Sequence, residues 1–483
     1  MNNCLGVVDS IETHVSGTFP KNIVIEILSR LPAKSLMQFK SVSKYWLSLI
    51  EHDQHLIDLH FNRSISRPNL LYINPLPQKG IFHSTLDFMF SESKSLQQSI
   101  SCAEIVEGRG GDEQVEALVS EVRITDDKWF RYDQVLEPVN GLVCFLDRKT
   151  HAIRVYNAST REATPWVKST LLAEENDKLA NINRNKEIKC HSNPIYKFGF
   201  DPEKREHKVF CFWRLVAKSR VCKKSSKEQP DYESWEALTV GRDTKWRRIN
   251  AVPNENNQIK IKQALPPGSS FRRQVYAYGT IYWSNKEDYW DLSRRSNPDE
   301  PAVIVAFDVG SEKYRVIPIP EFILDEPRHE TFKPPIGMLV LGAHIALLYR
   351  MEPFVLKLWM LDDRPDKKLE NCRGSTSNWS SETITLPFCC EKGVGGFGIA
   401  GSTDKILFEC RGCKDPVSFT SLYSYDRRKK TCKKIEMDGV SSFNRSSGRS
   451  LLTTYTESLF PVQPLNKTIA SDVSFVSPSL EVM

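Results

Sequence analysis

The sequence predicts a two-part chain of α+β class: three short helices at the N-terminus, then a large all-β body. Three observations predict it. Between residues 19 and 50, apolar side chains recur at three- and four-residue spacing, broken by proline and serine. From about residue 135 onward, short apolar strands alternate with polar turns that open on Asp or Asn. Within that second region a glycine repeatedly precedes an apolar strand.

The N-terminal block reads FPKNIVIEILSRLPAKSLMQFKSVSKYWLSLI. Pro20 suits the first turn of a helix, where its missing N–H would have no intrahelical partner, and Thr18 can act as the N-cap. Ile23, Val24, Ile27, Leu28 and Leu31 then fall on one face. Pro32 ends this helix by removing a donor and disfavouring helical geometry at Leu31. A second helix, over 33–40, presents Leu36, Met37 and Phe39. Ser41 or Ser43 can cap a third, on which Val42, Tyr45, Trp46, Leu49 and Ile50 again keep helical spacing. Helices this short are marginal alone in water. The apolar stripe is broader than such a segment buries by itself, so a covering partner is expected. A helical subdomain packed on the rest of the chain is the alternative.

This block resembles an F-box, the adaptor-binding module of cullin-based ubiquitin ligases, over its whole length. The usual opening Leu-Pro is Phe19-Pro20 here, and the central Ile-Leu-x-x-Leu-Pro matches Ile27, Leu28, Leu31 and Pro32. Lys34, Ser35 and Leu36 match the Lys-Ser-Leu that comes next, and Lys40, Val42, Lys44 and Trp46 match the basic-x-Val-x-Lys-x-Trp run. The departures are Phe19 for Leu, Lys21 where an acid is common and Gln38 where Arg is common. Lys21 is slightly disfavoured by the positive end of the helix dipole, so these changes are expected to weaken adaptor affinity somewhat. The resemblance implies an adaptor-binding face of Phe19, Pro20, Ile23, Ile27, Leu28, Leu31, Pro32, Leu36, Lys40, Val42 and Trp46.

Composition bounds the rest. The chain has 483 residues, 40% hydrophobic and 26% charged, which is ordinary for a globular protein. The roughly 420 residues after the helical block are too many for one ordinary core unless the fold is a closed array. A net charge of +6, from 66 basic and 60 acidic residues, is too slight to argue for nucleic acid. No apolar run is long enough for a membrane span: 336–349 is too short and contains His344. The N-terminus lacks the basic start and apolar stretch of a signal peptide, so the twelve cysteines are expected as free thiols in a reducing compartment, cytoplasmic and/or nuclear.

In the β region one module recurs: a strand ending on Asp or Asn, a polar turn, then another strand. It stands at 153–166, 196–213, 303–320, 356–363 and 421–437, with a fainter copy at 234–249. Asn157, Asp201, Asp308, Asp362 and Asp426 are the expected turn formers, because their side chains can bond the backbone two residues on. A second element, glycine before an apolar strand, stands at 140–145, 278–283, 341–349 and 396–401. Four-stranded units repeated five or more times point to a β-propeller, which limits exposed sheet edges by repetition. A pair of β-sandwiches is the alternative.

The same segments resemble the F-box-associated domain of plant F-box proteins, a kelch-like module. The resemblance rests on Val-Asn-Gly-Leu-Val-Cys (139–144), Gly-Phe-Asp-Pro (199–202), Trp246-Arg247 at the end of a strand, Gly-x-Ile-Tyr-Trp (279–283) and Phe-Asp-Val (307–309). It implies a tail over 1–15, an F-box over 16–62, a propeller over 63–465 and a second tail over 466–483. The segments 70–77 and 82–91 read as strands that start or close the propeller. The polar stretch 91–122 reads as a surface insertion, and 214–233 as a basic loop. The propeller is expected to fold on its own blades, without residues 1–62.

Signals for covalent chemistry are weak. GVGGFG (393–398) fits a dinucleotide pattern, but a strand rather than a helix is expected after it, so it reads as a glycine-rich blade turn. Cys410 and Cys413 have the spacing of a zinc half-site, with Cys389, Cys390 and Cys432 also available, but there is no second pair at finger spacing. His52, His55 and His60 are expected to flank a helix, and RRKKTCKK (427–434) reads as a solvated turn or an import signal. No catalytic residue, cofactor or metal is expected. The resemblance implies a substrate-recognition subunit of an SCF-type ubiquitin ligase. Its F-box would bind a Skp-family adaptor and, through it, cullin and RING subunits, while the propeller binds a target protein. The alternative is an F-box protein that binds the adaptor without promoting ubiquitination.

Overall fold

The computed structural model describes residues 20–67, 69–74, 99–106, 114–122, 132, 134–182, 186–190, 194–219, 232–250, 274–285, 302–326, 337–342, 344–362, 378–387, 394–398, 404–411, 420–437 and 451–462. Four helices open it: α1 (Lys21–Leu28), α2 (Ala33–Phe39), α3 (Lys44–His52) and α4 (Gln54–Ile65). Pro20 stands at the N-cap of α1 rather than in its first turn, and Thr18 lies outside the described residues. Ser43 caps α3, accepting from the Trp46 amide at 3.2 Å. The fourth helix is an addition to the three expected, and it carries the helical part past residue 62. Asp53 caps it, accepting from the Leu56 amide at 2.9 Å. His60 lies within it rather than flanking it.

The strands then form a β-propeller. Its first sheet holds β1 (Asn69–Asn74), β2 (Ser99–Val106) and β3 (Gln114–Val122), and the next β4 (Gln134–Val135), β5 (Leu142–Asp147), β6 (Ala152–Asn157) and β7 (Val167–Lys168). Helix α5 (Leu171–Ile182) leads to β8 (Lys186–Cys190), β9 (Ile195–Asp201), β10 (Glu206–Ser219), β11 (Tyr232–Thr239) and β12 (Arg247–Ile249). A fourth sheet holds β13 (Val275–Ala277), β14 (Thr280–Ser284), β15 (Val303–Asp308) and β16 (Lys313–Pro318). After α6 (Glu321–Leu324) come β17 (Gly337–Leu341), β18 (His344–Glu352), β19 (Val355–Asp362) and β20 (Trp379–Thr385). The last strands are β21 (Val394–Gly398), β22 (Lys405–Arg411), β23 (Thr420–Asp426), β24 (Thr431–Met437) and β25 (Leu451–Tyr455).

Among the described residues these strands make five sheets, four of them with four or five strands. The fifth has eight strands, in the order β21-β22-β23-β24-β3-β2-β1-β25. It is a double blade: two four-stranded antiparallel runs joined by the parallel pair β24–β3. β25 pairs with β1, Leu71 opposite Thr453, so the two ends of the domain share one sheet, with β25 as its edge strand.

The interior is divided between blades. Strand residues alternate in direction, so each blade buries its two faces against different neighbours. Ile281, Trp283, Val303, Val305 and Phe307 pack with Phe210 and Phe212 of the preceding blade. The intervening Tyr282, Ile304 and Ala306 pack with Met338, Ile345 and Leu347 of the following one. That two-sided burial explains why the strands read as near-continuous apolar runs.

The turns repeat one device. Asp147, Asp201, Asp308 and Asp426 each end a strand and stand opposite the residue five positions later. Each Oδ1 accepts a backbone amide two or three residues on, from Lys149 at 3.0 Å, Glu203 at 3.1 Å, Ser311 at 2.6 Å and Lys429 at 2.9 Å. The fourth residue on is left-handed each time: His151, Arg205, Glu312 and Lys430 have φ of 55°, 58°, 59° and 53°. Asn157 does the same, bonding the Ser159 amide at 2.9 Å, with Arg161 at φ 64°. The expected turn role therefore holds at 157, 201, 308 and 426; at Asp362 the turn itself, from residue 363, lies outside the described residues. Two of the four glycine elements are two-residue hairpins, Asn140-Gly141 between Val139 and Leu142 and Tyr278-Gly279 between Ala277 and Thr280, with both central φ values positive; Gly396 instead lies inside β21 rather than before a strand.

Several expectations are corrected. Residues 99–106 and 114–122 are not a surface insertion but supply β2 and β3, which are rich in polar residues and whose alternation breaks at Cys102-Ala103 and at Ala117–Val119. The basic loop is narrower than 214–233, because β10 runs to Ser219 and β11 starts at Tyr232. The copy at 234–249 is no further unit: β11 pairs directly with β10, so both hairpins share one sheet. Trp246-Arg247 opens β12 rather than ending a strand. GVGGFG is no blade turn, since Val394–Gly398 is itself a strand, paired with β22. Residues 82–91 and 466–483 lie outside the described residues.

Candidate functional site

The helices bury one side and leave another bare. In α1, Ile25 and Leu28 point inward, while Ile23 and Ile27 are 45% and 51% exposed. Ala33 and Leu36 of α2, and Leu49 and Ile50 of α3, are buried. Val42, at 64%, together with Tyr45 and Leu47, is exposed. Thus half of the ten large hydrophobic residues exposed among the described residues lie between 23 and 47. A concentration of bare apolar side chains marks an interaction surface.

The expected adaptor residues divide into three groups. Pro20, Ile23, Ile27, Pro32 and Val42 are exposed. Leu31, Lys40 and Trp46 are partly covered, Trp46 by an edge-on contact with Phe39 at 5.3 Å. Leu28 and Leu36 are fully buried, so they support the face from beneath rather than present it. Phe19 lies outside the described residues. Tyr45 and Leu47 are exposed beside this set and were not among the expected residues, although Tyr45 already stood in the apolar spacing of the third helix.

Helix α4 braces the segment before Pro32. Arg63 holds both carboxylate oxygens of Glu26, at 2.6 and 2.7 Å, and donates to the Glu26 carbonyl at 2.9 Å. Arg30 and Arg63 together keep the Glu26 carboxyl below the usual range. The Nε2 of His60 bonds the Leu31 carbonyl at 3.1 Å, and burial pushes this imidazole down to about 4 despite that bond. Lys21, the unusual basic residue near the start of α1, pairs with Asp53 at 2.9 Å. Lys40 is held within the chain by Glu51 at 3.2 Å and by Glu162, after β6, at 3.6 Å.

The helical module shares a core with the propeller. Ile25, Leu28, Leu36, Leu56 and Ile57 belong to one buried cluster with Leu142, Phe198, Phe200, Leu459 and Phe460. Arg205, in the β9–β10 turn, pairs with Asp58 of α4 through two hydrogen bonds, one at 2.8 Å. Between the two modules runs the segment 456–462, directly after β25. The expected separation at residue 62 is therefore a packed junction.

No catalytic constellation accompanies this surface among the described residues. There, no group of three or more His, Cys, Asp and Glu could hold a metal. Cys432 is a half-buried thiol raised by burial to about 11, Cys410 lies in β22, and Cys389, Cys390 and Cys413 lie outside the described residues. The run 427–434 forms the β23–β24 turn and part of β24, with Arg427 on Glu382 at 2.6 Å and Arg428 on Asp404 at 2.9 Å. Among the described residues no helix is long and apolar enough to cross a membrane.

Comparison with known proteins agrees with this architecture. A family model described as F-box domain matches residues 18–57, and one described as F-box associated beta propeller domain matches 85–458. The Arabidopsis thaliana F-box protein At4g19940 is 28% identical over 437 residues, covering 87% of this chain and 86% of its own. The F-box/kelch-repeat protein At4g19930 from the same plant is 29% identical over 310 residues, covering 63% and 58%. Its F-box/LRR-repeat protein At2g40920 is 27% identical over 387 residues, covering 77% and 70%. With a helical F-box, a closed propeller and family matches over both, the chain belongs to the plant F-box proteins that carry an F-box associated β-propeller domain.

Proposed function

We propose that this protein is the substrate-recognition subunit of an SCF-type ubiquitin ligase. The observation that carries the reading is the cluster of bare apolar residues, Ile23, Ile27, Val42, Tyr45 and Leu47, on an F-box that is otherwise well packed. A Skp-family adaptor covers that face and bridges to cullin and RING subunits. The propeller holds the target. The chain contributes proximity rather than covalent chemistry: it turns a bimolecular attack by a target lysine into an effectively intramolecular one.

The target surface belongs on the end of the propeller away from the F-box. The F-box sits against the β9–β10 turn and the turn after β6. Strand alternation puts the β5–β6 and β18–β19 turns, α5 and α6 at the other end. Phe322 and Leu324 on α6, and Phe354 in the β18–β19 turn, are exposed there. Loops at one mouth of a rigid scaffold are where such folds place specificity.

Affinity purification from plant cells with mass spectrometry tests the reading. The wild-type chain is expected to bring down a Skp-family adaptor, a cullin and a target whose level rises on proteasome inhibition. Recovery of the adaptor alone, with no ubiquitination of any bound protein in a reconstituted ligase, would instead indicate an F-box protein outside the ligase cycle.

A further inference from the structure

The helix α2 begins immediately after Pro32, which offers no side-chain cap. Its first amide, that of Ala33, donates instead to the Glu457 carboxylate at 3.1 Å, 424 residues away in sequence. A carboxylate at a helix N-terminus satisfies an orphan donor and complements the dipole. A residue beyond the last propeller strand therefore completes the N-terminus of the second F-box helix, between the two helices that carry the bare apolar residues.

The chain around Glu457 is fixed on both sides. Towards the propeller, the Asn157 side-chain amide donates to the carbonyls of Ser458 at 3.0 Å and Phe460 at 2.9 Å. The Ser458 amide donates to Ser159 Oγ at 3.0 Å. Gly141, at φ 81°, leaves room for this passage: a Cβ there would lie 2.4 Å from Ser458 Cβ and 2.6 Å from the Thr456 carbonyl oxygen. Towards the F-box, the Phe460 ring meets Phe61 of α4 at 5.4 Å, while Phe200 at 5.3 Å and His207 at 5.6 Å hold it on the propeller side. Leu459, Phe460 and Val462 are all buried.

We propose that residues 456–462 form a strap that locks the F-box to the propeller and, through Glu457, positions the adaptor-docking helices. Glu457 and Phe460 are positioning residues, remote in sequence from the module they set. The strap fixes the direction in which a target held by the propeller is presented to an adaptor-bound ligase; this part rests on the reading proposed above. Adaptor affinity would then depend on the far end of the chain, although the F-box sequence itself is intact.

Hydrogen exchange measured by mass spectrometry on the full-length chain, without adaptor, tests the strap. Phe460→Ala is expected to speed exchange in α2 and α4 by about a hundredfold, with β13–β20 unchanged. Glu457→Ala is expected to speed exchange in α2 by about fivefold, and Glu457→Gln, which keeps an acceptor oxygen, by less than about twofold. Unchanged exchange in α2 for Glu457→Ala would overturn the proposal, as would equal effects of Ala and Gln. Should Phe460→Ala loosen the whole propeller, the Glu457 pair decides. Failure of the wild-type chain to bind adaptor would sink the ligase reading and leave the exchange result standing.

Discussion

The ring of Phe61, on the last helix of the F-box, meets the ring of Phe460 edge-on at a centroid distance of 5.4 Å. One residue belongs to the helical F-box module and the other to the segment that leaves the last propeller strand. Their contact sits in a core built from both modules. The F-box is thus held as a part of the propeller's surface.

Phe61→Ala is expected to lower the stability of the full chain by about 2 kcal/mol, less than a fully buried phenylalanine would cost because its ring is only half-covered. Urea unfolding monitored by fluorescence measures it. A change below about 0.5 kcal/mol would mean that the junction contributes little. Arg205→Ala, which breaks the half-exposed pair with Asp58, is expected to cost under about 1 kcal/mol.

Asn157 should not tolerate the aspartate that serves the same turn elsewhere. Its Oδ1 makes the turn, but its Nδ2 donates to two carbonyls of the strap. Asn157→Asp keeps the first bond and loses the second function. It also places a fully buried carboxylate against two carbonyl oxygens. A loss of about 3 kcal/mol is expected, against less than about 1 kcal/mol for Asp426→Asn, as read from thermal or urea melts. Equal effects at the two positions would contradict the role assigned to Nδ2.

Stability should fall on mild acidification. Burial holds His60 at about 4 and His207 at about 3, both below the ordinary 6.5. Below pH 6.5 the unfolded chain binds protons that the folded chain refuses, so the stabilisation is fully present above 6.5 and is lost towards 4 and 3. Each histidine adds up to about 1.4 kcal/mol per pH unit in that window. Urea melts at pH 7 and pH 5 should show the drop, and His60→Gln should shrink it. An unchanged drop in that variant would mean that His60 titrates normally in the fold.

Legibility from sequence tracked the range of the signal. The helix breaks at Pro32 and Ser43 and the Asp and Asn turns act within a few residues, and those features were readable. Periodicity could not separate Ile27, which is bare, from Leu28, which is buried, because the stripe is wider than either face alone. β2 and β3 were hidden because they are rich in polar residues and their period-two alternation is broken at Cys102-Ala103 and at Ala117–Val119. The strap was illegible for a different reason: Glu457 and Phe460 acquire their roles from residues hundreds of positions away, and no local pattern encodes such a contact.

Adaptor docking on the exposed F-box face is tested most directly by the binding of a purified Skp-family adaptor to the full-length chain and to an Ile23→Asp, Ile27→Asp variant. Both side chains are about half exposed, so the variant should melt with the wild type. A one-to-one complex is expected for the wild type and at least a hundredfold weaker binding for the variant, since burying two unpaired carboxylates costs about 3 kcal/mol or more. No complex with the wild type, or undiminished binding by a folded variant, would contradict the assignment of this face.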